Sequence, residues 1–317
     1  MKFYRIDHIA QVTPSLAEHV AIWESVFGFR RISVWDNPQE GCQGVRLGIP
    51  GNWGQVWEVL TPFGDDSILQ SYLDSHGGRP GLHHVAVQVP DMEIAVEQLT
   101  AHGIDLSKRS TEGWIEASLS PPGEGPGVLF RLQGPGHLAF CGDGWSGSLE
   151  EPHGQNAVPS LGIVAIDHVC QASYDRDKLS QWYQNLAGFS EIWRTPDGKH
   201  PDMADLVLNI PGSNICWEVI MPWGEDSFIE RFLTKNGSAA HHVTFEVRDW
   251  DRALAACRYH GIPTFDDDEG VTDGALWRHT FIHPKYTGGI LVQLFWEEKP
   301  GVWVRSDKIP SSEGIMR

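Results

Sequence analysis

Two sets of histidine and glutamate residues recur along the 317-residue chain with nearly the same spacing. The sets are His8, Glu58 and His84 in the first half and His168, Glu218 and His242 in the second, at offsets of 160, 160 and 158 residues. Two imidazoles and one carboxylate suit Fe(II), Mn(II), Co(II), Ni(II) or Zn(II), and they leave coordination positions open for a substrate. The sequence therefore predicts a divalent-metal site.

Each of these residues also has a plain structural interpretation when it is taken alone. A glutamate in an apolar strand, such as Glu58, usually faces solvent, because successive strand residues alternate between the two faces. A histidine at the start of a strand, such as His8, is usually a hydrogen-bonded core or edge residue. The recurrence of two histidines and one glutamate together in both halves favours the metal site.

A second histidine precedes one predicted ligand in each half, as His83 before His84 and His241 before His242. Neighbouring strand residues point to opposite faces, so only one histidine of each pair can face the site. Alignment with the Asp-His pair that opens each half selects the second member. We therefore predict that His84 and His242 are the ligands.

The fourth ligand position differs between the halves. Gln293 occupies it in the second half, in a strand pattern that matches the one around Arg131 in the first. A glutamine carbonyl can bind a metal, whereas arginine is a permanent cation. The first half is therefore either a three-ligand site or a site in which Arg131 replaces the charge of the metal and pairs with Glu58.

Four copies of one unit position these residues: a strand, a helix and about three further short strands. The helical patterns cover residues 15–28, 91–103, 177–188 and 249–261, and each ends near a glycine. We expect an N-terminal two-unit domain over 1–140, a linker over 141–163, a C-terminal two-unit domain over 164–298 and a tail over 299–317. The repeat thus agrees with the length, which predicts about two domains.

The composition is that of a soluble globular protein, with 41% hydrophobic and 21% charged residues. A formal net charge of −18 argues against a nucleic-acid partner and makes a phosphorylated or coenzyme A substrate less favoured without excluding it. No apolar run approaches the roughly 20 residues that span a bilayer. Five cysteines without metal spacing indicate reduced thiols, and with no signal peptide expected we predict a cytoplasmic location.

These units and motifs resemble the vicinal oxygen chelate superfamily, which includes glyoxalase I, methylmalonyl-CoA epimerase and extradiol dioxygenases. The epimerase branch is the most similar. Its E-x-x-x-P-x-G-x-D-S stretch resembles 58–67 and 218–227, its paired-histidine strand resembles the two His-His pairs, and its HPK-x-TGG turn resembles 283–289. The resemblance implies an α+β fold in which four βαβββ units pair into two domains with curved, half-open mixed sheets, the ligands lying on the concave faces.

Two departures from the resemblance concern the fourth ligand and the chain length. The epimerases have a glutamate where this chain has Gln293 and Arg131, and they are half-length chains that dimerise. Extradiol dioxygenases, which are fused two-domain chains with the metal in the C-terminal domain, also have an acidic ligand at the position of Gln293. A homodimer is left open, because the paired domain could instead mimic that dimer.

Three functions are compatible with this sequence. The first is a metal-dependent isomerase, epimerase or lyase that forms an enolate from a small substrate chelating the metal through vicinal oxygens, with Glu218 as base or only as ligand. The second is a non-haem Fe(II) dioxygenase of aromatic or catechol-like compounds. The third is a binding or resistance protein without turnover.

The second half is predicted to contain the active site. It offers His168, Glu218, His242 and Gln293 to one divalent metal, and its 283–289 turn resembles the epimerase loop. In the first half, Arg131 places a cation near the predicted metal, which costs Coulomb energy at short range. We therefore expect a second metal there to bind more weakly, and we expect a small-molecule substrate as the partner.

Overall fold

The computed structural model describes residues 1–49, 52–64, 67–109, 114–121, 123–125, 127–135, 158–272 and 274–299. The described residues form two eight-stranded sheets, one before and one after the predicted linker. Most of that linker, and the predicted tail beyond residue 299, lie outside the described residues.

The first sheet is built from two copies of the strand-helix-three-strand unit joined by an additional helix. Its elements are β1 (Arg5–Val12), α1 (Leu16–Ser25), β2 (Arg30–Asn37), β3 (Cys42–Ile49), β4 (Asn52–Pro62), α2 (Ile68–Ser75), β5 (Gly81–Gln88), α3 (Met92–Ala101), β6 (Leu106–Arg109), β7 (Trp114–Leu119) and β8 (Val128–Gln133).

The second sheet repeats this order. Its elements are β9 (Ile163–Ala172), α4 (Arg176–Ala187), β10 (Ser190–Arg194), β11 (Met203–Asn209), β12 (Cys216–Pro222), α5 (Phe228–Asn236), β13 (Ala239–Val247), α6 (Trp250–Tyr259), β14 (Thr264–Thr272), β15 (Ala275–Ile282) and β16 (Leu291–Glu297).

Both sheets have the same strand order, β2-β3-β4-β1-β5-β8-β7-β6 and β10-β11-β12-β9-β13-β16-β15-β14. The first strand of each domain lies at the centre, parallel to the last strand of its own unit and antiparallel to the first strand of the next unit. This is the predicted arrangement of four βαβββ units in two curved, mixed sheets, and the fold prediction is confirmed.

Two helices were missed by the sequence pattern, α2 and α5, which join the two units of each sheet. Ser67 and Ser227 begin them, because each serine side chain accepts a hydrogen bond from the backbone N–H two residues later. The two serines belong to the motif that resembles the epimerases, so part of that motif encodes a helix start.

The core fills the space between the two sheets. Trp23 and Trp57 are fully buried and contact Phe245 of the second sheet, while Trp217 contacts Phe130 of the first, with ring centroids 5.2–5.9 Å apart. These indoles are core residues, as their positions in helix and strand patterns indicate. The concave faces that carry the predicted ligands are directed away from this shared core.

Candidate metal centres

The predicted ligands of the second sheet lie in two adjacent rows across its central strands. Glu218 is opposite Cys170, which is opposite His242. His168 is opposite Thr244, which is opposite Gln293. Because directly opposed residues share a face, both rows project from the same side of the sheet.

Three of these side chains meet at one point. Glu218 Oε2 lies 3.5 Å from His168 Nε2 and 3.4 Å from His242 Nε2. All three residues are buried, and Glu218 Oε2 and His242 Nε2 have no hydrogen-bond partner. Buried polar atoms are rarely left without a partner unless an ion or water fills the place between them. The donor set therefore fits a divalent cation.

Neighbouring side chains fix the orientation of both imidazoles. His168 Nδ1 lies 2.7 Å from Asp167 Oδ2, and His242 Nδ1 lies 2.9 Å from Nδ1 of His241. Each ring thus turns its Nε2 atom toward Glu218. A partner on the second ring nitrogen is typical of metal-binding histidines, because it fixes the tautomer and the ring plane.

Gln293 reaches the centre through Thr244, a residue that the sequence pattern did not single out. The Thr244 hydroxyl donates to Gln293 Oε1 at 2.7 Å, and its oxygen lies 2.8 Å from His168 Nε2. The corresponding residue of the first sheet is Ala86, which is opposite His8 and Arg131. The hydroxyl bridge is therefore specific to the second sheet.

The first sheet brings together its own set of predicted ligands. His8 Nε2 lies 3.3 Å from Glu58 Oε2 and 3.3 Å from His84 Nε2, and His8 Nδ1 lies 2.8 Å from Asp7 Oδ2. The ring of His84 is held by His83 through a 2.8 Å contact between their Nδ1 atoms. In both halves, the second histidine of the pair turns its Nε2 atom to the centre.

A cation already neutralises the carboxylate of the first centre. Arg46 Nε donates to Glu58 Oε1 at 2.9 Å, and Trp35 Nε1 donates to the same oxygen at 3.1 Å. Arg46 is opposite Glu58 across the β3–β4 pair, and the residue opposite Glu218 in the second sheet is Val207. Arg46 could not be recognised from the sequence pattern, because its role depends on this strand register.

Arg131 pairs with Glu116, so the expectation that it pairs with Glu58 is corrected. Its guanidinium donates twice to Glu116 Oε1, at 2.7 and 3.1 Å, and stacks on the Trp114 ring at 4.0 Å. Glu116 is directly opposite Arg131 on β7, so their ion pair forms within one cross-strand pair. Arg131 still acts electrostatically on Glu58 and lowers the pKa of that carboxyl together with His8 and Arg46.

The two buried histidines of each centre have opposite pKa shifts. Burial lowers the pKa of His168, but the Glu218 charge and the Asp167 contact outweigh it and raise that pKa to about 10. Burial holds the pKa of His242 well below its usual value. The His168 charge outweighs burial at Glu218 and lowers its pKa to about 2. Metal binding must therefore displace a proton from His168, since ligating imidazoles are neutral.

Two further groups lie close to the second centre and have no polar counterpart in the first. Cys170 is hydrogen-bonded to Glu218, and the matching residue of the first sheet is Ala10. Asp205 is buried on β11, and the residue at the matching position of the first sheet is Gly44. The Asp205 side chain accepts a hydrogen bond from the Thr195 hydroxyl. Burial and the Glu218 charge raise the pKa of Asp205 to about 7.

The turn at 283–289 joins the two sheets. Gln11 Nε2 donates to the carbonyl oxygens of Thr287 and Gly288 at 3.0 and 2.7 Å. A side chain at Gly289, where φ is +87°, would meet the Pro80 carbonyl oxygen at 1.8 Å. The close approach of Pro80 requires glycine at position 289, and the Gln11 hydrogen bonds give the turn a role in joining the two sheets. The resemblance of this turn to the epimerase loop therefore has a structural explanation and does not locate the active site.

A family model described as Glyoxalase/Bleomycin resistance protein/Dioxygenase superfamily matches residues 7–117 and 167–281, which contain both sets of histidines and glutamates. The chain belongs to this superfamily. The two matched segments correspond to the two sheets, so the tandem repetition seen in the sequence is a repetition of the family domain.

Known relatives of this superfamily member include enzymes of two kinds. Mitochondrial methylmalonyl-CoA epimerase of Mus musculus is 30% identical over 153 residues, covering 48% of this chain and 83% of the epimerase. 4-Hydroxyphenylpyruvate dioxygenase of Aspergillus fumigatus is 22% identical over 288 residues, covering 81% of this chain and 70% of the dioxygenase. The chain is an enzyme of this superfamily, which confirms that prediction.

A solved structure matches both sheets at once. A variant of 4-hydroxymandelate synthase from Streptomyces coelicolor superposes with a TM-score of 0.69 at 14% identity, covering 99% of this chain and 98% of that one. This likeness concerns the fold alone. None of the helices in the described part of the chain is long and apolar enough to cross a membrane.

Proposed function

We propose that the second sheet carries the catalytic centre of a metal-dependent enzyme that acts on a small substrate chelating the metal through two vicinal oxygens. The observation that carries this proposal is the pair of buried atoms without partners, Glu218 Oε2 and His242 Nε2, in contact at 3.4 Å. His168, Glu218 and His242 would hold the metal, with Gln293 as the fourth ligand once its carbonyl is released from Thr244.

The chemistry that such a metal supplies is polarisation of a carbonyl and stabilisation of negative charge on its oxygen. The residues of the chain supply the rest. Asp167 and His241 orient the two imidazoles, and burial of all three ligands keeps water from the point where they meet. Glu218 would accept a proton if it leaves the metal as the substrate binds and would otherwise act only as a ligand, whereas the amide of Gln293 cannot accept a proton.

Proton transfer next to a carbonyl, as in an isomerase, epimerase or lyase, is the reaction we propose first. The epimerase relatives, 28–30% identical over 45–53% of the chain, support it. Fe(II)-dependent dioxygenation is the second candidate, because two histidines and one carboxylate with open positions are the ligand set of many non-haem iron oxygenases. A relative that covers 81% of this chain is a dioxygenase, which also favours this candidate.

One probe compound separates the two reactions. Phenylpyruvate carries vicinal oxygens and an acidic C–H group, so it can exchange a proton or react with dioxygen. With Zn(II)- or Co(II)-loaded protein in D2O without oxygen, proton transfer predicts loss of the methylene proton signal in NMR. With Fe(II), dioxygenation predicts oxygen uptake in proportion to substrate consumed. Metal analysis that finds no divalent ion after loading would refute the proposal as a whole.

A further inference from the structure

The row that contains His168, Thr244 and Gln293 continues into an aromatic surface. Gln293 is opposite Phe281 on β15, and Phe281 is opposite Phe265 on β14. The centroid of the Phe281 ring lies 5.5 Å from that of His242 and 5.9 Å from that of Phe265. Phe265 is 44% exposed to solvent. Apolar rings thus lie on the concave face directly beside the candidate metal centre.

Alternate residues of β15 extend this surface away from the centre. The His279 ring lies 5.5 Å from Phe281, and Trp277 is stacked on His279 at 5.7 Å. Because alternate strand residues share a face, these three side chains line one side of β15. We call Phe265, Phe281, His279 and Trp277 the aromatic wall; all four are partly exposed.

Among the described residues, the first sheet has charged side chains at the matching place. The residue opposite Arg131 is Glu116, where the second sheet has Phe281 opposite Gln293. The Glu116–Arg131 ion pair, with Trp114 beneath the guanidinium, fills this position with charge. The aromatic wall therefore lies beside the centre whose ligand atoms lack partners, and in the described part of the first sheet an ion pair takes its place.

Carboxylates line the far side of the wall. Asp268 is opposite His279, and the irregular stretch of β14 just before it contains Asp266 and Asp267. All three carboxylates act electrostatically on His279. Asp266 has a φ of 59°, so the backbone turns sharply at this edge strand. A ring that packs on Phe281 and extends over His279 therefore approaches the Asp268 carboxylate, with Asp266 and Asp267 adding negative charge nearby.

We propose that the aromatic wall binds the ring of an aromatic ligand whose vicinal oxygens chelate the metal that Glu218 and His242 would hold, and that the β14 carboxylates exclude rings with an anionic group at the far end. The inference rests on the proposed function, because the chelating end of the ligand needs the metal. A coenzyme A ester, with its phosphates, does not satisfy this requirement.

Three catechols that differ only in their side chain test the inference. Dopamine carries a cationic group, 4-methylcatechol a neutral one and 3,4-dihydroxyphenylacetate an anionic one. Titration calorimetry on the full chain loaded with Zn(II), which does not oxidise catechols, should give the weakest binding for the anionic compound. We expect a difference on the order of tenfold between the anionic and cationic catechols at low salt, shrinking as salt is added.

Three variants assign the effect to residues. Phe281→Ala should weaken all three catechols, while Asp268→Asn should improve the anionic one relative to the cationic one. Glu269→Gln is the matched control, because it removes a charge from the same strand but its side chain pairs with Arg278 at 2.9 Å. That control should leave the order of affinities unchanged. Zinc content confirms that each variant keeps its centre.

The outcomes separate the two proposals. Zinc-loaded protein that binds no catechol contradicts chelation at this centre and hence the proposed function. Equal binding of all three catechols, or affinities unchanged in both Phe281→Ala and Asp268→Asn, overturns the aromatic wall while the chelating function stands.

Discussion

Arg46 donates a hydrogen bond to Glu58 at 2.9 Å, and the residue that matches Arg46 in the second sheet is Val207. This one difference gives the first centre a guanidinium that the second lacks, in addition to the charged histidine that each glutamate has beside it. Glu58 is neutralised by a guanidinium of the protein, while Glu218 has an oxygen without a partner. In the described residues, the ligand atoms of the first centre all have protein partners, whereas Glu218 Oε2 and His242 Nε2 of the second are open and would be satisfied by a dication.

Replacing Arg46 by the residue of the other half should create metal affinity in the first sheet. In Arg46→Val, Glu58 loses its cation and becomes available together with His8 and His84. We expect metal content, measured after zinc loading and dialysis, to rise from about one to about two equivalents per chain.

Arg31→Val, which removes an exposed arginine paired with Glu24, is the control and should leave metal content unchanged. An unchanged value in Arg46→Val would show that another group, such as Arg131, keeps the metal out.

Removing the histidines of each centre should affect metal content unequally. His168→Ala combined with His242→Ala should abolish tightly bound metal, because only Glu218 and Gln293 remain at that centre. His8→Ala combined with His84→Ala should leave most of the metal in place. Activity toward a substrate, once one is found, should follow the same order. If the variant without His168 and His242 kept activity while the variant without His8 and His84 lost it, with both proteins folded, the active centre would be in the first sheet.

The carboxylate behind His168 should contribute to metal affinity without touching the metal. Asp167 Oδ2 lies 2.7 Å from His168 Nδ1, and Asp167→Asn removes the charge while nearly preserving the shape. Loss of such a partner typically lowers metal affinity by about 10–100-fold. Competition with a zinc chelator measures the change. Asp7→Asn, which alters the equivalent 2.8 Å contact of His8, is the matched control and should have little effect on the metal of the second sheet.

Local periodicity and repetition in the sequence predicted most of the elements, all but α2 and α5, and grouped the candidate ligands. Strand alternation indicated that one histidine of each pair faces the centre, alignment with the Asp-His pairs selected the second, and the four strand-helix-strand patterns indicated the units. Alternation cannot place residues of separate strands opposite each other, since register is fixed by packing of the whole sheet. Arg46, Glu116 and Thr244 were missed for this reason, because each acts through a cross-strand partner.

Asp205 should make the metal-free protein less stable at neutral pH than at mildly acidic pH. Its pKa is about 7 in the folded protein, raised by burial and by Glu218, against an ordinary value of 3.8. Between these values the folded state binds more protons than the unfolded state, so the free energy of unfolding falls as pH rises from about 4 to 7. Above pH 7 the full cost of the buried charge remains.

Asp205→Asn removes this ionisation and keeps an oxygen to accept the Thr195 hydrogen bond. We therefore expect the variant to exceed the parent in stability at pH 8 by about 2 kcal/mol and to lose most of that advantage near pH 5. Urea unfolding in EDTA at both pH values measures the difference, and Asp105→Asn at an exposed site supplies the control.

Zinc should shrink the stability difference between Asp205→Asn and the parent, because the charge of Glu218, which raises the Asp205 pKa, is then balanced by the metal. A variant that is less stable than the parent at pH 8 would mean that Asp205 is ionised and stabilising there, with Arg176 as its nearest compensating cation.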